Sequence, residues 1–297
     1  MKPTLVPGSV LVGVDGSPAS DGAVTWAARY ADAHRRTLVA VHGTGAPVVT
    51  DFAIDVDQSQ QDLLVAGRRV VDHSLDVART TGSPALQVMG HVWAQEPREL
   101  LVEAAENAHL LVLGTRGHGT VAGLLLGSVS VAVVAHAPCP VVVVRPEPDS
   151  AIADPLPIVV GADGTSDSAG ALTFAFELAS EQHRPLEVVH ALGETWLFPA
   201  PDLPGPEVVD AAMVDWQLLL AESLAGYSEK FPDVTVRTRL VKGSAPRALL
   251  TASREASTVV VGARGRGAMK RRLLGSVSRS VVEHAHCTVA VVRGAES

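Results

Sequence analysis

The sequence predicts two tandem α/β units, each a doubly wound, five-stranded parallel sheet with helices on both faces. Three observations carry that prediction. Four motifs recur at a single offset of 148 positions. Short apolar runs alternate with longer stretches of helical period, the pattern of parallel strands joined by crossover helices. Hydrophobic residues make up 47% of the chain and aromatics only 4%, so Val, Ala and Leu must fill the core, as suits strands buried on both faces.

The repeat is explicit. Gly13-Val14-Asp15-Gly16-Ser17 returns as Gly161-Ala162-Asp163-Gly164-Thr165, and Val112-Leu113-Gly114-Thr115-Arg116-Gly117 as Val260-Val261-Gly262-Ala263-Arg264-Gly265. Leu126-Gly127-Ser128-Val129-Ser130 returns as Leu274-Gly275-Ser276-Val277-Ser278, and His136-Ala137-Pro138-Cys139 as His284-Ala285-His286-Cys287. One offset across four motifs marks a duplicated domain. Residues 1–146 are read as the first domain and 158–297 as the second. The Pro- and acid-rich stretch 147–157 is read as the linker.

In the first copy Val10 to Val14 is a short apolar run and reads as a buried strand. Ser17 and Pro18 then open a helix, as N-cap and first-turn residue, and Ala23, Trp26, Ala27 and Tyr30 recur at helical spacing. Leu38–Val41 is a second strand, Gln58–Thr81 a long amphipathic helix, Leu86–Val92 a third strand and Arg98–Ala108 a helix. Leu110–Leu113 is the fourth strand, a helix opens near Gly127-Ser128, and Val141–Val144 is the fifth strand. The second copy places strands near Ile158–Val160, Leu186–Val189, Thr235–Val241, Thr258–Val261 and Val289–Val292.

Composition excludes several classes of function. A net charge of −8 with no basic asymmetry along the chain argues against general nucleic-acid binding. Two cysteines in 297 residues argue against a disulfide scaffold and fit a reducing compartment. The N-terminal residues lack an apolar run of signal-peptide length. The most apolar stretch, Val131–Val144, is interrupted by His136, Pro138 and Pro140 and is too short to span a bilayer. A soluble, cytoplasmic protein with no membrane partner is expected.

The strongest local signal follows the fourth strand: Gly114-x-x-Gly117, nine residues, then Gly127-Ser128, repeated as Gly262-x-x-Gly265, nine residues, then Gly275-Ser276. Glycines let backbone N–H groups approach an anion, and the first turn of a helix has unpaired N–H groups and a favourable dipole. The pattern reads as a phosphate cradle in two pieces, with a tight turn as the bland alternative. Its residues are Gly114, Arg116, Gly117, His118, Gly119, Gly127, Ser128 and Val129 in one copy. In the other they are Gly262, Arg264, Gly265, Arg266, Gly267, Gly275, Ser276 and Val277. It is neither a Walker loop, having no Gly-Lys-Ser/Thr, nor the dinucleotide fingerprint, which follows strand one. Asp15 and Asp163, at the end of strand one, suit either acceptance from a ribose hydroxyl or adenine amino group, or a turn that caps the next helix. His42 and His190 read as core histidines bonded to backbone rather than catalytic groups.

The spacing G-x2-G-x9-G-S/T, with an Asp ending strand one and a His ending strand two, resembles the ATP-binding branch of the universal stress protein family, in particular its tandem-domain mycobacterial members. The resemblance covers nearly all of both copies. It implies an adenine nucleotide α-hydrolase-like fold with ATP, with or without Mg, at the junction of strands one and four. Carried over, Asp15 and Asp163, with Gly13 and Gly161 beside them, would meet the adenosine part, and Gly43 and Ala191 would offer backbone groups to adenine. The two glycine constellations would hold ribose and phosphates. The resemblance also implies that the copies pair with their fifth strands together. The expected function is an ATP-binding regulator of stress response or growth state, with one site per domain and at most slow, incidental hydrolysis. A homodimer and a regulatory protein partner are expected associates.

Two other readings stand beside it. One is a nucleotide hydrolase or adenylate-transferring enzyme, although Gly13-Val14-Asp15-Gly16-Ser17 does not match the Ser-Gly-Gly-x-Asp-Ser of related ATP pyrophosphatases. The other is a partner-binding module without nucleotide. Cys139 and Cys287 read as small buried residues, not metal ligands, and no Gly-x-Ser-x-Gly elbow occurs. Trp196-Leu197-Phe198-Pro199 reads as a lid or a packing plug.

Overall fold

The computed structural model describes residues 5–45, 56–115, 127–146, 155–163, 166–192, 206–264 and 274–294, apart from some side chains in the helices that begin at 56, 166 and 206. The chain forms two compact units, Met1–Pro146 and Glu147–Ser297. The first unit runs β1 (Val10–Gly13), α1 (Pro18–Ala33), β2 (Leu38–Gly43), α2 (Val56–Thr81), β3 (Val88–Trp93), α3 (Pro97–Ala104), β4 (Leu110–Gly114), α4 (Ser128–His136) and β5 (Val141–Val144). Its strands pair in parallel in the order β3-β2-β1-β4-β5. The second unit runs β6 (Ile158–Gly161), α5 (Ser166–Gln182), β7 (Leu186–Ala191), α6 (Pro206–Lys230), β8 (Val236–Val241), α7 (Ala245–Ala252), β9 (Thr258–Gly262), α8 (Ser276–His284) and β10 (Thr288–Val292). Its parallel order is β8-β7-β6-β9-β10.

The central strands are apolar without alternation because both faces are covered. Val10, Leu11 and Val12 are fully buried, as are Leu110, Leu111 and Val112. α1 starts as its sequence predicts. The Ser17 hydroxyl accepts from the Ser20 amide at 3.2 Å and Pro18 stands in the first turn. Its inner face is Ala23, Val24, Ala27, Ala28 and Ala31, small residues that let the helix lie close to the sheet.

Two expected boundaries shift for visible reasons. The third strand begins at Val88, not Leu86, because the Leu86 amide is bonded to Ser83 O in a turn. Asp32 fixes that turn, accepting from the Ser83 amide at 2.8 Å and its hydroxyl at 2.7 Å. The helix expected over Arg98–Ala108 stops at Ala104 and continues as a 3₁₀ turn, Ala105–Asn107. There the Asn107 carbonyl accepts from the Gly8 amide at 2.7 Å and the chain turns into β4.

The duplication extends to individual bonds. Arg36 Nη1 donates to Gly8 O at 2.7 Å, and Arg184 Nη1 donates to Leu156 O at 3.0 Å, the same two positions displaced by 148. Leu156 and Pro157, read from sequence as the last linker residues, are therefore held within the second unit. Pro157 O also accepts from the Ser257 amide at 2.9 Å.

The copies are not identical. In the first, Tyr30 stacks on Trp26 and His34, with centroids 5.3 and 4.1 Å away, and its hydroxyl lies 3.1 Å from His109 Nε2. Burial, then the Arg36 cation, then His34 push the His109 pKa down to about 4. The unfolded ring titrates near ~6.5, so between these values the unfolded chain binds the extra proton and the folded one does not. The His109 contribution to stability is then fully present above pH ~6.5 and is lost as the pH is lowered toward 4. His109→Gln keeps an acceptor for Tyr30 and is expected to lose less stability between pH 7.5 and 5 than the parent. Equal losses in urea titrations of the two proteins would refute the assignment.

Among the described residues, no helix is long and apolar enough to cross a membrane.

Candidate functional site

In each unit the strand order reverses between the first and fourth strands, β1 and β4 or β6 and β9. Ligands of open parallel sheets bind beyond the carboxyl ends of strands at such a point. Asp15 and Asp163, two residues past β1 and β6, and the starts of α4 and α8 lie at these strand ends.

Asp15 follows β1 in a half-buried turn. Its Oδ1 accepts from both the amide and the hydroxyl of Ser17, at 3.0 and 2.7 Å. Asp15 therefore forms the turn weighed from sequence with one carboxylate oxygen, while the cap of α1 is Ser17. Oδ2 lies outside this turn, which leaves an acceptor at the strand end. Asp163 holds the matched position in the second unit, half-buried. His42 Nδ1 donates to Val14 O at 2.7 Å, and His190 Nδ1 to Ala162 O at 2.6 Å. A carbonyl can only accept, so Nδ1 carries the proton in both rings. Each histidine thus clamps the residue just before the Asp to the second strand, the core role expected of it.

Gly114 ends β4 against the first turn of α1. A Cβ there would stand 2.6 Å from Ala19 O and 2.8 Å from Ala19 C, both backbone atoms, so only glycine allows this approach. Gly13 and Gly161 make room instead for core leucines, Leu113 and Leu101 in one unit and Leu249 in the other. Gly43 abuts the backbone of Gln95 and Pro97. Ala191 ends β7 at the matched place.

α4 begins at Ser128 with Gly127 as N-cap, and α8 at Ser276 with Gly275 as N-cap; neither has a side-chain cap. The expected donors shift by one residue. The Gly127 amide is bonded to Thr115 O at 2.9 Å, and the Gly275 amide to Ala263 O at 2.9 Å. The caps therefore close the loop, and the amides of Ser128, Val129 and Ser130, or Ser276, Val277 and Ser278, form the uncapped first turn. Ser128 and Ser276 are exposed. Sequence reasoning passed over the next serine of the motif. The Ser130 hydroxyl donates to Gly114 O at 3.1 Å and the Ser278 hydroxyl to Gly262 O at 2.5 Å. The signal was its place in the repeated Ser-Val-Ser.

Gly262 ends β9, and Arg264 follows, half-buried. Arg116, Gly117, His118 and Gly119, and Gly265, Arg266 and Gly267, lie outside the described residues, as does Trp196-Leu197-Phe198-Pro199.

The model of the universal stress protein family matches the chain twice, over residues 8–145 and 156–293. Universal stress protein Rv2623 of Mycobacterium tuberculosis is 35% identical over 294 residues, 96% of each chain. Universal stress protein Rv2005c of the same organism is 37% identical over 292 residues, again 96% of each. The crystal structure of a universal stress protein from Archaeoglobus fulgidus superposes with a TM-score of 0.69 at 19% identity, covering 97% of this chain and 99% of that one, a likeness of fold.

Proposed function

The chain belongs to the universal stress protein family, as a tandem pair of its domains, and from that membership we propose that each unit binds ATP and that the protein acts as a nucleotide-responsive regulator of stress response or growth state. One observation carries the reading. In both units an uncapped helix start is tied by a buried serine to the end of the fourth strand, the neighbour of the first strand that the Asp follows. Three amides and the positive end of a helix dipole suit phosphate oxygens. The Asp carboxylate suits a ribose hydroxyl or the adenine amino group.

Binding without efficient turnover is part of the proposal. Asp15 Oδ1 is held by Ser17, and the histidines at the strand ends donate to backbone carbonyls rather than facing a reacting atom. Among the described residues no group of three His, Cys, Asp or Glu side chains is placed to hold a metal. A cytoplasmic location, association into homodimers and a regulatory protein partner complete the proposal.

Denaturing the purified protein and weighing the released small molecules tests the assignment. ATP at roughly one or two equivalents is expected, or saturable ATP binding if the sites empty during purification. A chain that neither releases nor binds ATP would overturn it. Steady release of ADP or AMP that disappears in Asp15→Ala and Asp163→Ala would replace the regulator by an enzyme.

A further inference from the structure

We propose that Ser130 and Ser278 are positioning residues for the phosphate end of the site: each fixes the open start of its helix against the end of the neighbouring strand, and so sets nucleotide affinity without itself meeting the ligand. The inference rests on the nucleotide reading above.

A serine inside a helix ordinarily turns its hydroxyl to solvent or to a carbonyl one turn back. These two do neither. Each is the third residue of its helix, each is buried (6% and 3% exposed), and each reaches a carbonyl 16 positions earlier in the chain. The acceptors, Gly114 O and Gly262 O, close the fourth strand of their units. The same bond formed twice, between residues displaced by 148, is a designed joint rather than an accident of packing.

In the first unit the joint continues to the other end of the site. The Gly114 backbone lies against Ala19 and the Ser20 amide. That amide donates to Ser17 Oγ at 3.2 Å, and Ser17 Oγ donates to Asp15 Oδ1 at 2.7 Å. The Asp15 amide in turn points to Ser20 Oγ at 3.4 Å. The carboxylate of Asp15 and the amides of α4 therefore take their positions from one strand end through three buried hydroxyls. Ser168 repeats Ser20 in the second unit, 5% exposed.

Removing the Ser130 or Ser278 hydroxyl takes away a part-buried bond to the strand-end glycine carbonyl and releases the helix start. Amides aimed at phosphate work only when held within about 0.5 Å of their place. The phosphate-dependent part of affinity should fall and the adenosine part should not.

The test uses the full chain with Ser130→Ala and Ser278→Ala, singly and together, and Ser130→Thr with Ser278→Thr as variants that keep the hydroxyl. Calorimetric titration with ATP and with adenosine should show ATP affinity about tenfold weaker in the paired alanine chain, the scale of one charge-assisted bond. Adenosine affinity should stay within about twofold, and threonine should restore ATP binding. Hydrogen exchange without nucleotide should quicken at the first bonded amides of the two helices, Val131 (to Gly127 O) and Arg279 (to Gly275 O), and not in β4 or β9. Should the paired alanine chain fail to fold, the single variants and the exchange data carry the same comparison. ATP and adenosine weakening in parallel, or neither changing, overturns the positioning role while the nucleotide reading stands. A parent chain that binds neither ligand overturns that reading and this inference with it.

Discussion

Gly114→Ala is expected to destabilise the first unit by about 2–3 kcal/mol, in the range of overpacked cores. The added Cβ would meet Ala19 O at 2.6 Å and Ala19 C at 2.8 Å, and neither neighbour can swing aside as a side-chain tip can. α1 is fixed there by the Ser17 cap and the Asp15 turn. β4 is fixed by its pairing on both sides, with Gly114 opposite Val144. Either the strand end or the helix start must move, and each carries part of the site. The change should therefore reduce ATP binding as well as stability. Gly22→Ala is the counterpart. Gly22 lies within α1 with nothing within 4 Å of its missing Cβ, so alanine should stabilise by up to about 1 kcal/mol. Hydrogen exchange on first-unit peptides reads this unit by itself. Equal protection in the two variants would refute the packing account.

The fold was legible because the chain states it twice. Apolar runs without alternation named the buried strands, and the offset of 148 aligned them in pairs. What sequence periodicity misplaced were ends decided by distant partners. Leu86 continues the apolar run of β3 but is drawn into a turn by Asp32, 51 positions before Ser83. The helix after β3 breaks into a 3₁₀ turn because Asn107 is needed by Gly8. At the site, the Gly-Ser motif announces an uncapped helix and the strand-end histidines bond to backbone as expected, while Asp15 forms the turn that is one of its two readings. Hidden from sequence was the division of labour among like residues. Gly127 spends its amide on closing a loop, whereas Gly114 exists for the contact with α1. Ser128 is exposed, while Ser130, two positions on, is buried and bonded to the strand. A one-dimensional pattern shows that such residues recur; only the packing assigns each its task.

The two sites should differ in affinity, the second binding ATP about tenfold more tightly than the first at low salt. The stretch between β9 and α8 holds Arg264, Arg266, Lys270, Arg271 and Arg272, whereas that between β4 and α4 holds only Arg116 and His118. Both ends of each stretch are fixed at the helix start, through Gly275 N to Ala263 O and Gly127 N to Thr115 O, each 2.9 Å. Each stretch thus begins and ends at the helix start whose amides are proposed to take phosphate. A cation ~5 Å from a phosphate in water contributes under about 1 kcal/mol, so no single arginine decides the matter, but two or three acting together reach a tenfold effect, about 1.4 kcal/mol. Gly265→Glu and Gly117→Glu place a carboxylate in the second and first glycine motifs and disable each site by charge, leaving the other to be titrated. ATP should bind Gly117→Glu more tightly than Gly265→Glu, and AMP, with less charge, should show a smaller gap. Added salt should narrow the ATP gap, since the screening length falls from ~30 Å at 0.01 M to ~3 Å at 1 M. An equal or tighter first site would show that the second basic stretch serves a surface other than the nucleotide.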